Sequence, residues 1–192
     1  MFINQHYLSP ATVVASPNFD DRPDLDDISL LVIHCISLPP GQFGGNAVEH
    51  LFCNRLDPKQ HPYFEGIYTL KVSAHCLIRR DGEIIQFVAF DKRAWHAGIS
   101  CYQGRERCND FSIGIELEGD ERTPYEAIQY HKLAQLSAVL LAEYPKLQRQ
   151  HIVGHNDIAP GRKTDPGDSF DWTRFNDCLD QQLYRHSIKS TL

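Results

Sequence analysis

Two imidazoles and a carboxylate sit where they could share a metal ion. His34 closes an apolar run, His155 follows the short run 151–154, and Asp165 lies ten residues further on. Zinc takes imidazole nitrogen and carboxylate oxygen readily, and three protein ligands leave a position for water. Glu116 is a fourth candidate, on the polar side of an otherwise apolar strand. Spacing alone does not join these residues. His34 and His155 are far apart in the chain, and ten histidines give many chance trios. Each one therefore remains open to an ordinary structural role. The pair His34-Cys35 suggests a different chemistry, hydrolysis by a thiolate without metal. That needs a thiol paired with histidine, usually at a helix N-terminus, whereas Cys35 follows a strand.

The elements that must position these residues are legible in outline. The β-branched run 28–33 predicts a buried strand that stops at His34. Asn46 and Glu49 have the spacing of a capping box, which predicts a short helix over 47–54. The segments 72–80 and 83–88 flank Asp81-Gly82, a hairpin signal of type I′. Residues 111–118 alternate: Phe111, Ile113, Ile115 and Leu117 face one way, and Ser112, Gly114, Glu116 and Glu118 the other. Thr123 to Glu126 reads as a second capping box, opening a helix over 124–143 with Ile128, Leu133, Leu136 and Leu140 on one face. A short strand over 151–154, a loop over 155–169 and a helix over 171–184 bearing Trp172, Phe175, Leu179 and Leu183 complete the chain. This mixture without strict alternation predicts an α/β fold, a mixed central β-sheet flanked by helices. Residues 1–192 are expected to form one domain, with 1–27 as an extended, proline-rich and acidic N-terminal leader.

Composition narrows the function. The 192 residues carry 19 basic and 25 acidic side chains, a net charge of −6. No basic face is visible to track phosphates, so nucleic acid is not an expected partner. No window approaches the ~18 apolar residues of a membrane span. Residues 1–10 lack the basic and apolar regions of a signal peptide, so the expected location is the cytoplasm. Six cysteines without a CxxC pair predict reduced, mostly buried thiols.

Four segments carry a family resemblance: SAHCLIRRDG at 73–82, AWHAG at 94–98, NDFSIGIELEG at 109–119 and GHNDIAPGRKTDPG at 154–167. Together they resemble the zinc-dependent N-acetylmuramoyl-L-alanine amidases of the type 2 amidase family, from about residue 17 to 172. The likeness is greatest to members that act in the cytoplasm on 1,6-anhydro-N-acetylmuramyl peptides during peptidoglycan recycling. It implies the type 2 amidase fold and one zinc ion held by His34, His155 and Asp165. It also implies catalytic roles for Glu116, as the group that moves protons, and Lys163, as an oxyanion stabiliser. The implied partner is a small muropeptide, met by a monomer. Loss of the activity would let anhydro-muropeptides accumulate, and in some bacteria these induce a β-lactamase.

Substrate contacts follow from the same resemblance. Basic residues hold the peptide's carboxylates in related amidases; Arg107 matches, and Lys71 stands where arginine is expected, keeping charge but losing the bidentate fork. Cys35 stands where asparagine is expected beside the first ligand. Tyr63 falls in the loop where relatives can carry a catalytic tyrosine. Trp95 either packs on the sugar or fills the core, and Arg162 either contacts the peptide or faces solvent. His75 and His96 are expected to support ligands or to pack, since a ligating imidazole needs a partner on its other nitrogen. The rival reading is a non-catalytic peptidoglycan-binding module of the same fold. Asp165, Lys163 and Glu116 all argue against it, because an inert module has no need of them.

Overall fold

The computed structural model describes residues 1–189. Its strands are β1 Phe2–Asn4, β2 Tyr7–Ser9, β3 Thr12–Val13, β4 Phe19–Asp21, β5 Leu30–Ile36, β6 Cys76–Ile78, β7 Ile84–Gln86, β8 Lys92–Ala94, β9 Cys101–Tyr102, β10 Arg105–Glu106, β11 Ser112–Glu118 and β12 Ile152–Gly154. Its helices are α1 Ala47–Phe52, α2 Ala127–Glu143, α3 His155–Ile158 and α4 Trp172–Lys189. Six strands form the central sheet in the order β12-β5-β11-β6-β7-β3. The pairs are parallel except the antiparallel β6–β7 pair, so the sheet is mixed as expected.

The two faces of the sheet have different covers. Leu31, Ile33, Ile113, Ile115 and Leu117 join Leu133, Leu136 and Leu140 of α2 and Phe175 and Leu179 of α4 in the largest apolar cluster. On the opposite face, Leu77 and Ile85 pack with Val48, Leu51 and Phe52 of α1. Beside them Leu30 and Val32 meet Ala97, Cys108, Phe111 and Ile158. Helices α2 and α4 thus close one side, while long loops build the other. The register of β11 with β5 sets Glu116 beside His34, on this loop-covered side.

Several local expectations need correction. β5 does not stop at His34; pairing continues to Ile36 because β11 runs alongside to Glu118. All seven residues of β11 are buried, including the polar ones, since it is a central strand covered on both faces. The hairpin is not type I′. Of its central residues only Gly82 has positive φ, and Arg79 N–H to Glu83 O with Gly82 N–H to Arg79 O describes a type I turn followed by a left-handed glycine. Asn46 makes no side-chain cap on α1, and the Glu49 side chain pairs with Arg79 rather than closing a capping box. Thr123 does not open α2 either. Asp120 accepts from its N–H and hydroxyl, and the helix begins after Glu126, whose N–H donates to the Gln129 side chain (3.0 Å). Ile128 is exposed rather than on the core face. The strand expected over 151–154 begins at Ile152, after a 3-10 turn at Arg149–His151, and residues 155–158 of the expected loop form α3.

The segment 1–27 is docked along its length. β1 and β2 form a hairpin, β3 extends the central sheet beside β7, and β4 pairs with β8. Arg22 is buried and donates to the carbonyls of Phe90, Asn109, Asp110 and Ser112. The six cysteines are free, with Cys76 and Cys108 buried, Cys101 exposed and the other three half-buried. Among the described residues no helix is long and apolar enough to cross a membrane.

Candidate metal centre

The site forms where the parallel strands β5, β11 and β12 end, the usual place for ligands in such sheets. β5 delivers His34. β12 ends at Gly154, and His155 follows as the first residue of α3, whose start is held by Gly154 N–H donating to Asp157 Oδ2 (2.7 Å). Gly154 is required here, because an added Cβ would lie 2.8 Å from Pro166 Cδ. That close approach brings the 165–166 turn against the strand end. Asn156 N–H donates to the Asp165 carbonyl (3.0 Å), and the Tyr125 hydroxyl donates to the Pro166 carbonyl (2.8 Å). Two bonds therefore aim the Asp165 side chain.

Three ligand atoms converge. His34 Nδ1 and His155 Nδ1 are 2.9 Å apart, and each is 3.1 Å from Asp165 Oδ2. They are the group among the described residues placed to hold a metal ion. Tetrahedral zinc with bonds of ~2.0–2.1 Å would set its ligand atoms ~3.3 Å apart, close to this spacing. The donor chemistry also fits. His155 Nε2 faces the Ala97 carbonyl (3.0 Å), which can only accept, so a neutral His155 carries its proton there and turns the Nδ1 lone pair inward. Burial lowers the His34 pKa to about 4, so this ring is neutral at pH 7. Burial alone would raise the Asp165 carboxyl, but the His155 and His34 imidazoles beside it hold it below the usual carboxylate range. A carboxylate and two imidazole nitrogens facing one point form a candidate cation site.

Glu116 adds a different feature. It is 9 % exposed, and its Oε2 is buried without a hydrogen-bond partner. Burial, with Asp165 nearby, pushes its pKa well above the ordinary value, while the Lys163 ammonium opposes the rise. A buried acid left unpaired is costly unless it serves a reaction. Lys163 is exposed, two residues before Asp165, and its N–H donates to the Ala159 carbonyl (3.0 Å). Loop closure after α3 thus brings the ammonium within electrostatic range of Glu116.

The remaining candidates are spread around this centre. Arg162 donates to the carbonyls of Ala97 (2.7 Å) and Ile99 (2.6 Å), so its guanidinium ties down a loop. Arg107 adopts positive φ, is largely exposed and pairs with Asp110 (3.3 Å). Both arginines line an open depression of about 490 Å³ with Ile99, Ile158 and Pro160. Lys71 is exposed. Tyr63 is 45 % exposed on the 3-10 turn Pro62–Gly66. Trp95 is half-buried, with its indole N–H on Asp20 (3.1 Å). Cys35 packs in the helix-side cluster beside Tyr125, away from His34, and burial pushes its thiol up to about 12. A thiol held in its neutral form on the far side of the strand argues against Cys35 as a metal-free nucleophile.

His75 and His96 support rather than join the centre. His75 Nδ1 accepts from Gly114 N–H (3.0 Å), and its Nε2 donates to the Lys92 carbonyl (3.0 Å). His96 lies between His34 Nε2 (2.9 Å) and Ser112 Oγ (3.1 Å). Its ring rests on Gly114, where a Cβ would come within 2.4 Å. Sequence reasoning missed Arg22, Asn109 and Gln129, whose amide bridges the carbonyls of Ile78 (3.2 Å) and Glu118 (3.0 Å). Only Asn109 lay in a motif that could have marked it.

Comparison with known proteins agrees with the geometry. The sequence profile of the N-acetylmuramoyl-L-alanine amidase family matches residues 24–168. The 1,6-anhydro-N-acetylmuramyl-L-alanine amidase AmpD of Citrobacter freundii is 59% identical over 175 residues, covering 91% of this chain and 93% of the relative. A crystal structure of a selenomethionine AmpD derivative superposes with a TM-score of 0.91 at 57% identity, covering 93% of this chain and 99% of that one. The Escherichia coli amidase AmiD, in complex with anhydro-N-acetylmuramic acid-L-Ala-D-γ-Glu-L-Lys, superposes with a TM-score of 0.57 at 29% identity, covering 92% of this chain and 62% of that one. A match across this much of the chain, on a fold that sets two histidines and an aspartate around one point, places the protein in the N-acetylmuramoyl-L-alanine amidase family.

Proposed function

We propose that this protein hydrolyses the amide between the lactyl group and L-alanine in 1,6-anhydro-N-acetylmuramyl peptides during peptidoglycan recycling. The observation that carries this reading is the convergence of His34 Nδ1, His155 Nδ1 and Asp165 Oδ2 beside the unpaired Glu116 carboxyl oxygen. These three residues hold one zinc ion, which when bound supplies a Lewis acid and lowers the pKa of a water to ~7. Glu116 accepts the proton of the attacking water at Oε2 and passes it to the leaving amine nitrogen. Its raised pKa suits both halves of that transfer. The Lys163 ammonium stands against the oxyanion of the tetrahedral intermediate. The carbon–nitrogen bond breaks, leaving a lactyl carboxylate and a free peptide amine.

Arg107 and Arg162 give the neighbouring depression a cationic lining, which suits a peptide bearing carboxylates. Lys71, Tyr63 and Trp95 are the further substrate contacts implied by resemblance; the Cys35 side chain, implied with them, packs on the helix side of the sheet instead. The chain works as one amidase unit, a cytoplasmic monomer without nucleic-acid or membrane partners. Its loss raises the anhydro-muropeptide pool and so affects β-lactamase induction where that circuit exists.

The bond assignment is tested in ¹⁸O-water with 1,6-anhydro-N-acetylmuramyl-tripeptide as substrate. The expected result is ¹⁸O in the lactyl carboxylate and none in the released tripeptide. Label in the peptide contradicts the bond assignment. Tight binding without any product would favour the non-catalytic module.

A further inference from the structure

The two imidazole ligands come from distant elements, yet their outward nitrogens lean on adjacent residues of one turn. His34 Nε2 meets His96 Nδ1 (2.9 Å), and His155 Nε2 donates to the Ala97 carbonyl (3.0 Å). This turn follows β8 and is not a metal ligand itself. Two side chains hold it: Arg162 donates to the Ala97 carbonyl (2.7 Å) from one side, and Asn109 takes the backbone N–H groups from the other. Asn109 Oδ1 accepts both the His96 N–H (3.1 Å) and the Ala97 N–H (2.8 Å). Asn109 lies on the 3-10 turn Cys108–Asp110 immediately before β11, and it is only 8 % exposed. Two backbone donors face its Oδ1, so the amide orientation is fixed by its partners.

The far side of the His96 ring is held as well. Ser112 Oγ meets His96 Nε2 (3.1 Å), and the ring rests on the bare backbone of Gly114. The Ser112 hydroxyl can take either role, so the chain of contacts accommodates a His34 protonated on Nε2: His96 Nδ1 then accepts from it, and His96 Nε2 donates to Ser112 Oγ. In that arrangement both ligands turn Nδ1 lone pairs inward. Arg22 supports the same unit, donating to the Asn109 (3.2 Å) and Ser112 (2.7 Å) carbonyls.

We propose that the His96–Ala97 turn is a shared brace that fixes both histidines as Nδ1 ligands, and that Asn109 is the positioning residue that locks it. The inference rests on the metal reading above and deepens it. Partners of ligating histidines commonly change metal affinity 10–100-fold, and Asn109 acts on two ligands through adjacent peptide groups.

The test uses the zinc-loaded full chain and two variants. Asn109→Leu keeps the size and removes the acceptor, while Asn109→Asp keeps an oxygen in the same place. Zinc affinity is read by competition with a chromophoric chelator, and Tm is read with and without metal. The expected result is zinc bound about 10–100-fold more weakly by Asn109→Leu, largely restored in Asn109→Asp, with a smaller metal-induced rise in Tm for the leucine variant. A residue with a merely structural role would lower both Tm values together and leave affinity unchanged; that outcome overturns the brace. A wild-type chain that takes no zinc overturns the metal reading itself. If the variants fail to fold, long-range ¹H–¹⁵N correlation on the wild-type zinc form still decides. Protons on Nε2 of both His34 and His155 are expected, and a proton on Nδ1 of either one overturns the proposal.

Discussion

Glu116 carries an unpaired, buried carboxyl oxygen at the carboxyl end of β11, one strand away from His34. Removing its ability to move protons while keeping its shape isolates that role. Glu116→Gln is expected to retain zinc and lose ~10²–10⁴ in kcat, the span of a general acid–base group. Turnover within tenfold of wild type would remove Glu116 from the mechanism. Lys163→Met is expected to cost ~10²–10³ in kcat with folding intact, because the residue is exposed and acts on charge that develops only in the transition state. Unchanged kcat with a raised KM would make Lys163 a substrate contact instead. At this scale the proposed ligand and catalytic residues were visible as motif positions. Asn109 and Arg22 were not recognised, because their roles lie in hydrogen bonds to backbone groups that sequence separates by 12 to 90 positions.

The strands and helices show which local signals survive tertiary context. The alternation in 111–118 was readable, but burial of its polar half was not, since that depends on the loops covering the second face. The Asp81-Gly82 signal correctly marked a hairpin and misjudged the turn, because only the glycine takes positive φ. The capping signal at Thr123 failed because Asp120 competes for the same donors. Two predictions belong here. Gly114→Ala puts a methyl group into the His96 ring and is expected to destabilise the fold and weaken zinc binding together; wild-type values for both would contradict the close approach. His75 is buried and neutral, with its pKa lowered to about 3 by burial first and Arg22 second. Its folded pKa lies below its unfolded value, so its contribution is full above pH 6.5 and is lost as pH falls towards 3. Relative to His75→Gln, the wild type should lose about 2 kcal/mol of unfolding free energy between pH 7.5 and 5. Urea unfolding at the two pH values reads this, and parallel curves for both proteins would contradict it.

Across the whole molecule the candidate metal centre joins pieces that lie far apart in sequence: β5, the turn after β8, β11, and the start of α3 with the loop after it that carries Asp165. The segment 1–27 belongs to this assembly through Arg22, although its composition gave no hint of docking. An ion bound only by the folded arrangement stabilises the fold by mass action. Chelation should therefore lower Tm, and added zinc should restore it; a Tm indifferent to both would place the ion elsewhere. The measurement that bears most directly on the account is mass spectrometry of 1,6-anhydro-N-acetylmuramyl-tripeptide incubated with the purified protein, with chelator, without chelator, and with zinc returned. Free tripeptide is predicted without chelator and again after zinc is returned, and none while the metal is withheld. Cleavage that ignores the chelator, or no cleavage by folded, zinc-loaded protein, would contradict the account.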